Sequence, residues 1–397
     1  MIVNRDIVIV GQQSWDVEIG SNCKNIAMEM SKHNRVLYVN SPLDRITLFK
    51  QRNSSSVQKR LQVIKGHTDG LVKLKDNLWN YYPDKIIESV NWITFDLIYN
   101  WFKKTNNKRF ANSIQKAITE LGFKDFILFN DNDMFRCFYL QELLNPVISI
   151  YYIRDYMLGV AYWKQHGTKL EPMLIKKSTL CLANSTYLTN YAKKYNDRSF
   201  YVGQGCELEM FTGYDHSQPA PADIAVLPKP VIGYIGALKS IRLDIDLIKY
   251  IAIQNPDWSI VLVGPEDSEF KASELHKLSN VYFLGAKTPD LLPAYMSTFD
   301  VCINPQLVNE VTIGNYPRKI DEYLAMGKPV VATRTDAMSV FEEYTYLCNT
   351  KEEYVTAIKN ALKDDSAEKQ LQRIEFASSH TWENSVKEIY KAISTVL

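Results

Sequence analysis

Short apolar runs alternate with amphipathic, helix-like stretches along the whole chain, and this alternation limits the possible folds more than any other feature of the sequence. Strand–helix–strand units of this length predict parallel sheets with helices on both faces, which is the α/β class. The alternation occurs twice, before and after a Pro-rich stretch over 213–230 with little periodicity. The predicted strands are 6–10, 35–40, 126–131, 147–155, 180–185 and 200–205 in the first series, and 231–237, 259–264, 280–285, 301–305 and 330–333 in the second.

The length of 397 residues also favours two domains, because one hydrophobic core rarely serves so long a chain. We predict two Rossmann-like, doubly wound domains over 1–212 and 231–380, joined by a linker over 213–230. Neither Gly11 nor Gly203 opens a complete G-x-G-x-x-G pattern, so a Rossmann dehydrogenase is disfavoured.

Charge and cysteine usage exclude several classes of protein. Lys and Arg number 46 against 45 for Asp and Glu, so no overall field for nucleic acid is expected. The six cysteines lack a C-x-x-C pair and the six histidines lack metal-ligand spacing, which predicts reduced, buried thiols and no zinc site. The first strand follows Met1 within six residues, without a signal peptide, and no apolar run is long enough to span a bilayer. These features predict a cytoplasmic protein.

The strongest local signal lies in 309–333. Pro317 predicts the start of a short helix, Gly327 and Pro329 predict its end, and the apolar residues that follow predict a buried strand. The stretch therefore reads as loop, short helix, turn and strand.

Two cations at the start of this helix are unusual. Arg318 and Lys319 lie where unsatisfied N–H groups already create positive potential, so an anion is needed, and helix N-termini bind phosphate. Glu322, one turn later, is placed to accept hydrogen bonds from sugar hydroxyls while the cations hold a diphosphate. A surface ion pair on an ordinary packing helix explains the same residues about equally well.

The first half contains a basic and aromatic segment. Residues 92–102 read WITFDLIYNWF, and Lys103, Lys104, Lys108 and Arg109 follow. Aromatic residues beside Lys and Arg are typical of helices at a membrane interface. A core-packing helix with solvated lysines is the other interpretation, and the sequence favours it slightly.

Two D-x-D patterns are present, one at Asp131 and Asp133 and one at Asp244 and Asp246. Such pairs hold a divalent metal under the diphosphate in some glycosyltransferases. Both patterns also lie where a helix begins, so helix capping explains them without a metal, and no metal site is predicted. Asp155 ends a predicted strand, at the sheet edge where open α/β proteins bind ligands.

In the order and spacing of its motifs, nearly the whole chain resembles the GT-B glycosyltransferases of group 1, the retaining family 4-like branch. Enzymes of bacterial polysaccharide and teichuronic acid assembly look most similar. The segments that carry the resemblance are the Trp15-Asp16 loop, RVLYVN, LANSTYL, GQGCELEMF, GYIGALKSIRLD, LVGPED, NVYFLGAK and PRKIDEYLAMGKPVVAT. The resemblance implies two Rossmann-like domains facing across a cleft, with the C-terminal helix, 381–397, crossing back to the first domain.

The resemblance also implies a nucleotide-sugar donor, most simply a UDP-sugar, held by the second domain. Gly236 would admit the diphosphate to the backbone, and Arg242, Lys319 and Arg318 would neutralise it. Glu322 matches the second Glu of the family's E-x7-E motif and would hold the ribose. Gly264, Pro265 and the backbone near Lys287 would line the base pocket.

One position departs from the family. Gly314 stands where the first Glu of E-x7-E contacts the donor sugar, and Thr312 and Asn315 could supply polar contacts instead. In the first domain, Asp16 and Asp155 are the candidates for positioning the acceptor hydroxyl. Their other interpretation is loop capping and turn structure.

The expected function is sugar transfer from a nucleotide sugar to a saccharide or polyprenyl-linked acceptor in bacterial surface polysaccharide assembly. The reaction is expected to be retaining and independent of metal or other cofactors. The membrane face of the cytoplasm is the expected place if the acceptor is lipid-linked. A sugar-nucleotide epimerase of the same architecture, or a non-catalytic nucleotide-sugar-binding scaffold, stays open.

Overall fold

A computed structural model describes residues 2–16 and 21–397. The chain divides into two compact units. The first comprises Met1–Gly203 with Trp382–Leu397, and the second comprises Gln204–Thr381.

The first unit is built on a mostly parallel sheet, because its central strands are apolar on both sides and need helices on both faces. The strand order is β3-β4-β2-β1-β5-β6-β7-β8, and only the β3–β4 pair is antiparallel. The strands are β1 Asp6–Gly11, β2 Arg35–Asn40, β3 Leu71–Lys75, β4 Leu78–Tyr81, β5 Ile127–Asp131, β6 Ile148–Ile153, β7 Leu180–Ala183 and β8 Ser199–Tyr201. The helices are α1 Asn22–Met30, α2 Arg45–Lys50, α3 Ser55–Ile64, α4 Asp96–Leu121, α5 Leu140–Leu144, α6 Ala161–Lys177 and α7 Thr186–Lys193, with a 3-10 turn at Met157–Gly159.

The second unit contains a fully parallel sheet in the order β11-β10-β9-β12-β13-β14. This is the 3-2-1-4-5-6 order of doubly wound nucleotide-binding folds, whose ligands bind at the carboxyl ends of the strands. The strands are β9 Val231–Ile235, β10 Ser259–Val263, β11 Val281–Gly285, β12 Val301–Asn304, β13 Val330–Thr333 and β14 Tyr346–Cys348. The helices are α8 Glu209–Thr212, α9 Ala222–Ala225, α10 Ile245–Gln254, α11 Ser268–Ala272, α12 Leu292–Ser297, α13 Arg318–Ala325, α14 Lys351–Asp364 and α15 Ala367–Ser378; 3-10 turns occupy Glu274–Lys277, Pro289–Leu291 and Asp336–Phe341.

Alternating side chains of the central strands feed a separate hydrophobic core on each face of each sheet. In β1, Ile7 and Ile9 join one core while Val8 and Val10 join the other. In β9, Ile232 and Tyr234 face one core of the second unit, and the residues beside them face the other. This continuous burial explains why the strands were visible in the sequence as unbroken apolar runs.

The last helix, α16 (Trp382–Ser394), packs within the first unit. Val386, Ile389 and Ile393 are buried in the same core as Ile26 of α1. The Tyr390 hydroxyl accepts a hydrogen bond from Asn34 Nδ2 at 2.8 Å. The expected return of the C-terminal helix to the first domain therefore matches the unit to which the structure assigns it.

The division between the units lies nine residues before the expected end of the first domain, between Gly203 and Gln204. The Pro-rich stretch over 213–230 lies in the second unit and is packed there. Ile224 of α9 is buried in the core that also contains Val231, and Tyr214 and Leu227 pack against this core. The prolines of 213–230 predicted an irregular backbone, and a backbone of this kind can still pack against a hydrophobic core.

Candidate active site

The short helix predicted from Pro317 is α13, and it begins at the carboxyl-terminal edge of the second sheet. No side chain caps its N-terminus, and backbone carbonyls bind two of its first N–H groups: Arg318 N donates to Tyr316 O at 3.2 Å and Ile320 N donates to Pro317 O at 2.9 Å. Gly327 ends the helix region with a φ of +69°, as the Gly-Lys-Pro sequence predicted. Tyr323 fixes the helix to the sheet, because its buried hydroxyl accepts a hydrogen bond from Ile235 N at 2.9 Å.

Lys319 and Gly236 meet at this edge. A Cβ added at Gly236 would lie 2.7 Å from Lys319 Nζ and 2.9 Å from the Tyr234 hydroxyl, so a side chain there would displace the ammonium. Lys319 donates a hydrogen bond to the Tyr234 hydroxyl and lies 4.1 Å from the centre of its ring. The sequence interpretation had not identified Tyr234, which faces Lys319 across 85 residues of chain. The carboxyl-terminal edge of the second sheet thus brings together the Gly236 backbone, the Lys319 ammonium and a helix N-terminus that no side chain caps.

Gly264 lies directly beside Gly236. A Cβ there would come 1.9 Å from the Gly236 carbonyl oxygen, and Gly236 N donates to Val263 O at 2.9 Å. Pro265 O accepts a hydrogen bond from Leu238 N at 2.9 Å. Gly264 and Pro265 therefore hold the ends of β9 and β10 together, and this packing accounts for both residues whether or not they also line a base pocket.

Glu322 and Arg318 lie one turn apart on α13. Burial raises the pKa of the Glu322 carboxyl, while the charges of Arg318 and Lys319 lower it. Arg318 Nε is buried and has no hydrogen-bond partner within residues 2–16 and 21–397. A buried donor without an acceptor is costly, and an anionic ligand would supply the missing acceptor.

Arg242 is exposed in the loop after β9, and its side chain has no hydrogen-bond or ion-pair partner in the described chain. Its backbone is fixed, since Leu307 N donates to Arg242 O at 2.8 Å. Asn309 Nδ2 adds a bond to Ile241 O at 2.9 Å, which joins the loop after β9 to the loop after β12. The guanidinium is thus available on a well-held loop.

Lys287, which was predicted to lie near the base of the nucleotide, uses its side chain for another contact. Lys287 forms an ion pair with Asp223 at 2.8 Å, and its Nζ lies 4.8 Å from the Tyr295 ring. The hydrogen bond that Lys287 donates to the Asp223 carboxylate raises the pKa of Lys287. The side chain of Lys287 is therefore used within the second unit, and only its backbone, as expected, remains for a base.

The loop that replaces the family Glu is held by its own side chains. Thr312 is buried; its hydroxyl donates to Leu307 O and accepts from Asn309 N at 3.1 Å. Asn315 is half-buried and its backbone N donates to Thr312 O at 3.1 Å. Gly314 between them is buried. Of this loop, Asn315 is the side chain whose polar atoms are not already used by the loop, whereas Thr312 is committed to holding it.

In the first unit, Arg154 organises the carboxyl-terminal edge of the sheet. Its guanidinium donates to Asp131 Oδ1 at 2.9 Å, to Asp155 Oδ2 at 2.7 Å and to Gln12 Oε1 at 3.1 Å. Burial lowers the pKa of Arg154, but the carboxylates of Asp131 and Asp155 act together to raise it, and the net shift is upward. Asp155 is the more exposed carboxylate of the pair, so it is the one that can reach a second molecule.

Asp16, the other acceptor-side candidate, lies next to α3. Its carboxylate is 3.8 Å from Lys59 Nζ and is about a quarter exposed. Arg60, the next residue of α3, donates to the Ser14 hydroxyl, and burial lowers the pKa of Arg60. Asp16 and Asp155 thus both occur in the first unit as partly exposed carboxylates beside cations.

Both D-x-D patterns are used for local structure. Asp133 accepts hydrogen bonds from Phe135 N and Arg136 N, and it also pairs with the Arg136 side chain. Asp244 caps α10 by accepting from Leu247 N at 2.8 Å. The helix-capping interpretation is confirmed at Asp244, whereas Asp133 stabilises a turn, since the next helix, α5, begins only at Leu140. Within residues 2–16 and 21–397, no cluster of three His, Cys, Asp or Glu side chains is arranged to hold a metal ion.

A cavity of about 700 Å³ lies elsewhere in the second unit. It is bordered by Pro230 and Pro329, which precede β9 and β13, and by Lys328. Lys328 donates to the backbone carbonyls of Ser297 and Phe299. Ligands of doubly wound sheets bind at the opposite, carboxyl-terminal edge, so this cavity is not the donor site.

The fold is shared with solved glycosyltransferases of the GT-B class. Sucrose-phosphate synthase from Thermosynechococcus elongatus is 14% identical, with a TM-score of 0.66 over 99% of each chain. HepE of Anabaena is 15% identical, with a TM-score of 0.64 over 98% of this chain and 100% of its own. Trehalose 6-phosphate synthase from Burkholderia multivorans is 9% identical, with a TM-score of 0.69 over 99% of this chain and 97% of its own. The two Rossmann-like units therefore form a GT-B fold.

The sequence family is more specific. Residues 229–364 match the family described as Glycosyl transferases group 1. TuaH of Bacillus subtilis (strain 168), named as a teichuronic acid biosynthesis glycosyltransferase, is 32% identical over 186 residues. That match covers 44% of this chain and 46% of TuaH, so it spans about half the length of the relative.

Proposed function

We propose that the protein is a glycosyltransferase that takes a sugar from a nucleotide-sugar donor, with UDP as the leaving group. The observation that carries the proposal is the proximity of Lys319 to Gly236. It places an ammonium group beside a backbone without a side chain at the carboxyl-terminal edge of the sheet. The region that matches the group 1 family, 229–364, contains both residues. UDP is supported as the leaving group by HepE, whose structures contain UDP and UDP-glucose.

The proposed chemistry needs charge rather than a metal. As the bond between the sugar and the diphosphate breaks, negative charge develops on the diphosphate oxygens. Lys319, Arg318 and Arg242 would stabilise this charge together with the positive potential at the N-terminus of α13. Glu322 would accept hydrogen bonds from the ribose hydroxyls and fix the nucleotide. A retaining course for the sugar is part of the proposal and rests on the family resemblance.

The acceptor is proposed to be a saccharide or a polyprenyl-linked saccharide of a bacterial surface polysaccharide. The similarity to TuaH, named for teichuronic acid biosynthesis, supports this class. Asp155 and Asp16 are proposed to orient the attacking hydroxyl. Asp155 is the stronger candidate because Arg154 holds it in place while leaving it accessible.

Calorimetric titration tests the donor class. Titration of UDP and UDP-glucose, with GDP- and ADP-sugars for comparison, should give binding with UDP and UDP-sugars. Lys319→Gln should weaken UDP binding about tenfold or more, because a charge-assisted bond to phosphate is lost. Lys359→Gln, on the exposed face of α14, is the matched control. Binding of UDP that is equal in both variants would reject the site.

Turnover separates the three functions. A transferase releases UDP from a UDP-sugar only when a saccharide or lipid-linked acceptor is added, apart from slow hydrolysis. An epimerase would convert the UDP-sugar without acceptor, and a scaffold would bind UDP without turning over the donor. UDP release that depends on acceptor supports the proposal, and either other result contradicts it.

A further inference from the structure

Large apolar side chains are exposed together on the first unit. We call the set formed by Phe49, Trp92, Phe95, Leu97, Ile98 and Trp101 the α4 apolar surface. Phe49 is 88% exposed, Leu97 74% and Trp92 70%. Core-packing was the favoured interpretation of residues 92–102 from sequence. It is confirmed for Ile93 and Tyr99, which are buried in a core, and is wrong for the exposed side chains of this set. Contiguous exposed apolar surface on this scale marks an interaction site.

Hydrogen bonds join the chain segments that carry these side chains. The segment before α4 is joined to α2 by Ser89, whose hydroxyl donates to Asp44 Oδ1 at 2.6 Å and accepts from Ile46 N at 3.0 Å. Trp92 Nε1 donates to Ser89 O at 2.7 Å, which holds the indole over this junction. Asn106 of α4 bonds both backbone groups of Glu88, at 2.8 and 2.9 Å. The apolar side chains are therefore displayed by a fixed scaffold.

Unpaired cations border the surface. Lys104 and Lys108 follow Trp101 on the same face of α4, because positions i, i+3 and i+7 share one side of a helix. Lys50 follows Phe49 as the last residue of α2, and Arg52 lies just beyond the helix. All four are exposed and none has an ion-pair partner within residues 2–16 and 21–397.

The acidic groups nearby are already neutralised. Glu88 pairs with Arg45 at 2.5 Å and with Arg109 at 2.9 Å. Asp96 pairs with Lys169 at 2.9 Å. The charge left over around the α4 apolar surface is therefore positive.

We propose that the α4 apolar surface docks the protein on a membrane that contains anionic lipids. The aromatic side chains and Leu97 would enter the interface between headgroups and acyl chains, and the lysines would reach lipid phosphates. Because Lys104 and Lys108 share the face of α4 that carries Trp101, their long side chains can reach headgroup phosphates while the tryptophan is partly inserted. Helix α4 lies along the surface and does not cross, and no helix of the described chain is long and apolar enough to span a bilayer.

Charge argues against a second copy of the chain as the occupant. In a two-fold dimer the same patch meets itself, so the bordering cations of one copy would face those of the other. An anionic bilayer instead supplies phosphates to every lysine. This inference goes beyond the proposed function, because it depends only on the surface of the first unit and needs no sugar donor.

Vesicle binding tests the proposal. The full chain is mixed with vesicles of phosphatidylcholine alone or with one third phosphatidylglycerol, and bound protein is sedimented. We expect binding to the anionic vesicles that weakens with added salt. Of the seven tryptophans, Trp92 and Trp101 are the exposed ones, so anionic vesicles should shift the fluorescence to shorter wavelength and brominated acyl chains should quench it.

Two double variants and two matched controls test whether the α4 apolar surface and its lysines are responsible for vesicle binding. Leu97→Asp combined with Trp101→Asp, and separately Lys104→Glu combined with Lys108→Glu, should weaken anionic-vesicle binding by roughly tenfold or more. Leu371→Asp removes an exposed apolar side chain of the second unit, and Lys359→Glu with Lys363→Glu reverses two charges at the same spacing on α14; both controls should bind like the original protein.

Three results would overturn the proposal. The first is an original protein that stays in the supernatant with anionic vesicles. The second is a loss of vesicle binding that is equal in variants and controls. The third is a concentration-dependent dimer in analytical ultracentrifugation that Leu97→Asp abolishes, since this identifies a second copy as the occupant. UDP titration of each variant checks the second unit separately, so failure of membrane docking and failure of the donor site remain distinguishable.

Discussion

His380 Nδ1 lies 2.6 Å from Oδ1 of Asp321, a fully buried carboxylate on the helix α13 that carries Lys319 and Glu322. The other oxygen of Asp321 accepts from Cys206 Sγ at 3.2 Å, and Cys206 N donates to His380 O at 2.9 Å. Residues 206 and 380 lie close to the two ends of the second unit. Both ends of this unit are therefore fastened to the proposed donor helix through one carboxylate.

Replacing Asp321 should therefore destabilise the second unit. Asp321→Ala leaves His380 and Cys206 without their acceptor, and removing one member of a buried pair costs about 3 kcal/mol. We expect a lower melting temperature, and weaker UDP binding because the start of α13 is no longer held. Asp257→Ala, at an exposed position of the same unit, is the control. A melting temperature equal to that of the control would show that the Asp321 contacts contribute little.

Adding one methyl group at Gly236 should damage the donor site more than the fold. Its φ of +144° disfavours a side chain, and the new Cβ would press on Lys319 Nζ, the end of a flexible chain that can move. Gly236→Ala is expected to lower UDP affinity about tenfold while the protein stays folded. Gly66→Ala is the control, since Gly66 also has a positive φ of +73° but nothing lies within 4 Å of the added Cβ. Equal UDP affinity in the two variants would mean that no ligand group approaches Gly236.

Ribose recognition by Glu322 can be isolated with a ligand that lacks the hydroxyls. In the original protein, 2′,3′-dideoxy-UDP should bind more weakly than UDP, by about 1.5–3 kcal/mol for bonds to a charged acceptor. In Glu322→Gln the difference between the two ligands should shrink, because the charged acceptor is gone from both titrations. Glu343→Gln, an exposed change, should keep the full difference. A difference that persists in Glu322→Gln would assign the ribose to another residue.

Much of the fold follows from the sequence, because the central strands are buried on both faces and appear as unbroken apolar runs. Helix α13 could also be predicted from the sequence, because Pro317 and Gly327 mark its two ends. The contact between Lys319 and Tyr234 could not be predicted, because it joins residues 85 positions apart and no local pattern encodes it. No sequence pattern indicated that Asp321 is buried. On a helix face it reads as one more surface charge, and only the packing of His380 reveals that it is buried.

The α4 segment shows a different limit. Aromatic residues at helical spacing predict that one face is buried, but they do not say whether protein or another phase covers it. Trp101 and Tyr99 are two residues apart in the same run, yet Trp101 is exposed while Tyr99 is buried and stacks on His166. Such a division depends on which neighbours the tertiary fold supplies.

A buried carboxyl in the first unit should make stability depend on pH. Glu171 of α6 accepts hydrogen bonds from the Tyr151 hydroxyl at 2.8 Å and the Tyr191 hydroxyl at 3.1 Å. Burial raises the pKa of Glu171 to about 7, and the two hydroxyls lower it less than burial raises it. The folded protein therefore holds this proton at pH values where the unfolded chain, with a pKa near 4.5, has lost it.

Because the folded state binds the extra proton, the free energy of unfolding should fall as pH rises from about 4.5 and should level off above about 7. Glu171 would account for roughly 3 kcal/mol of this fall. Glu171→Gln keeps the shape without the charge, so calorimetric melting should show a smaller decrease between pH 5 and 8 and a higher melting temperature at pH 8. Glu120→Gln, at an exposed position of α4, should retain the original slope. If Glu171→Gln also retains it, another group in the chain titrates over this range, and Glu171 is ionised in the folded protein.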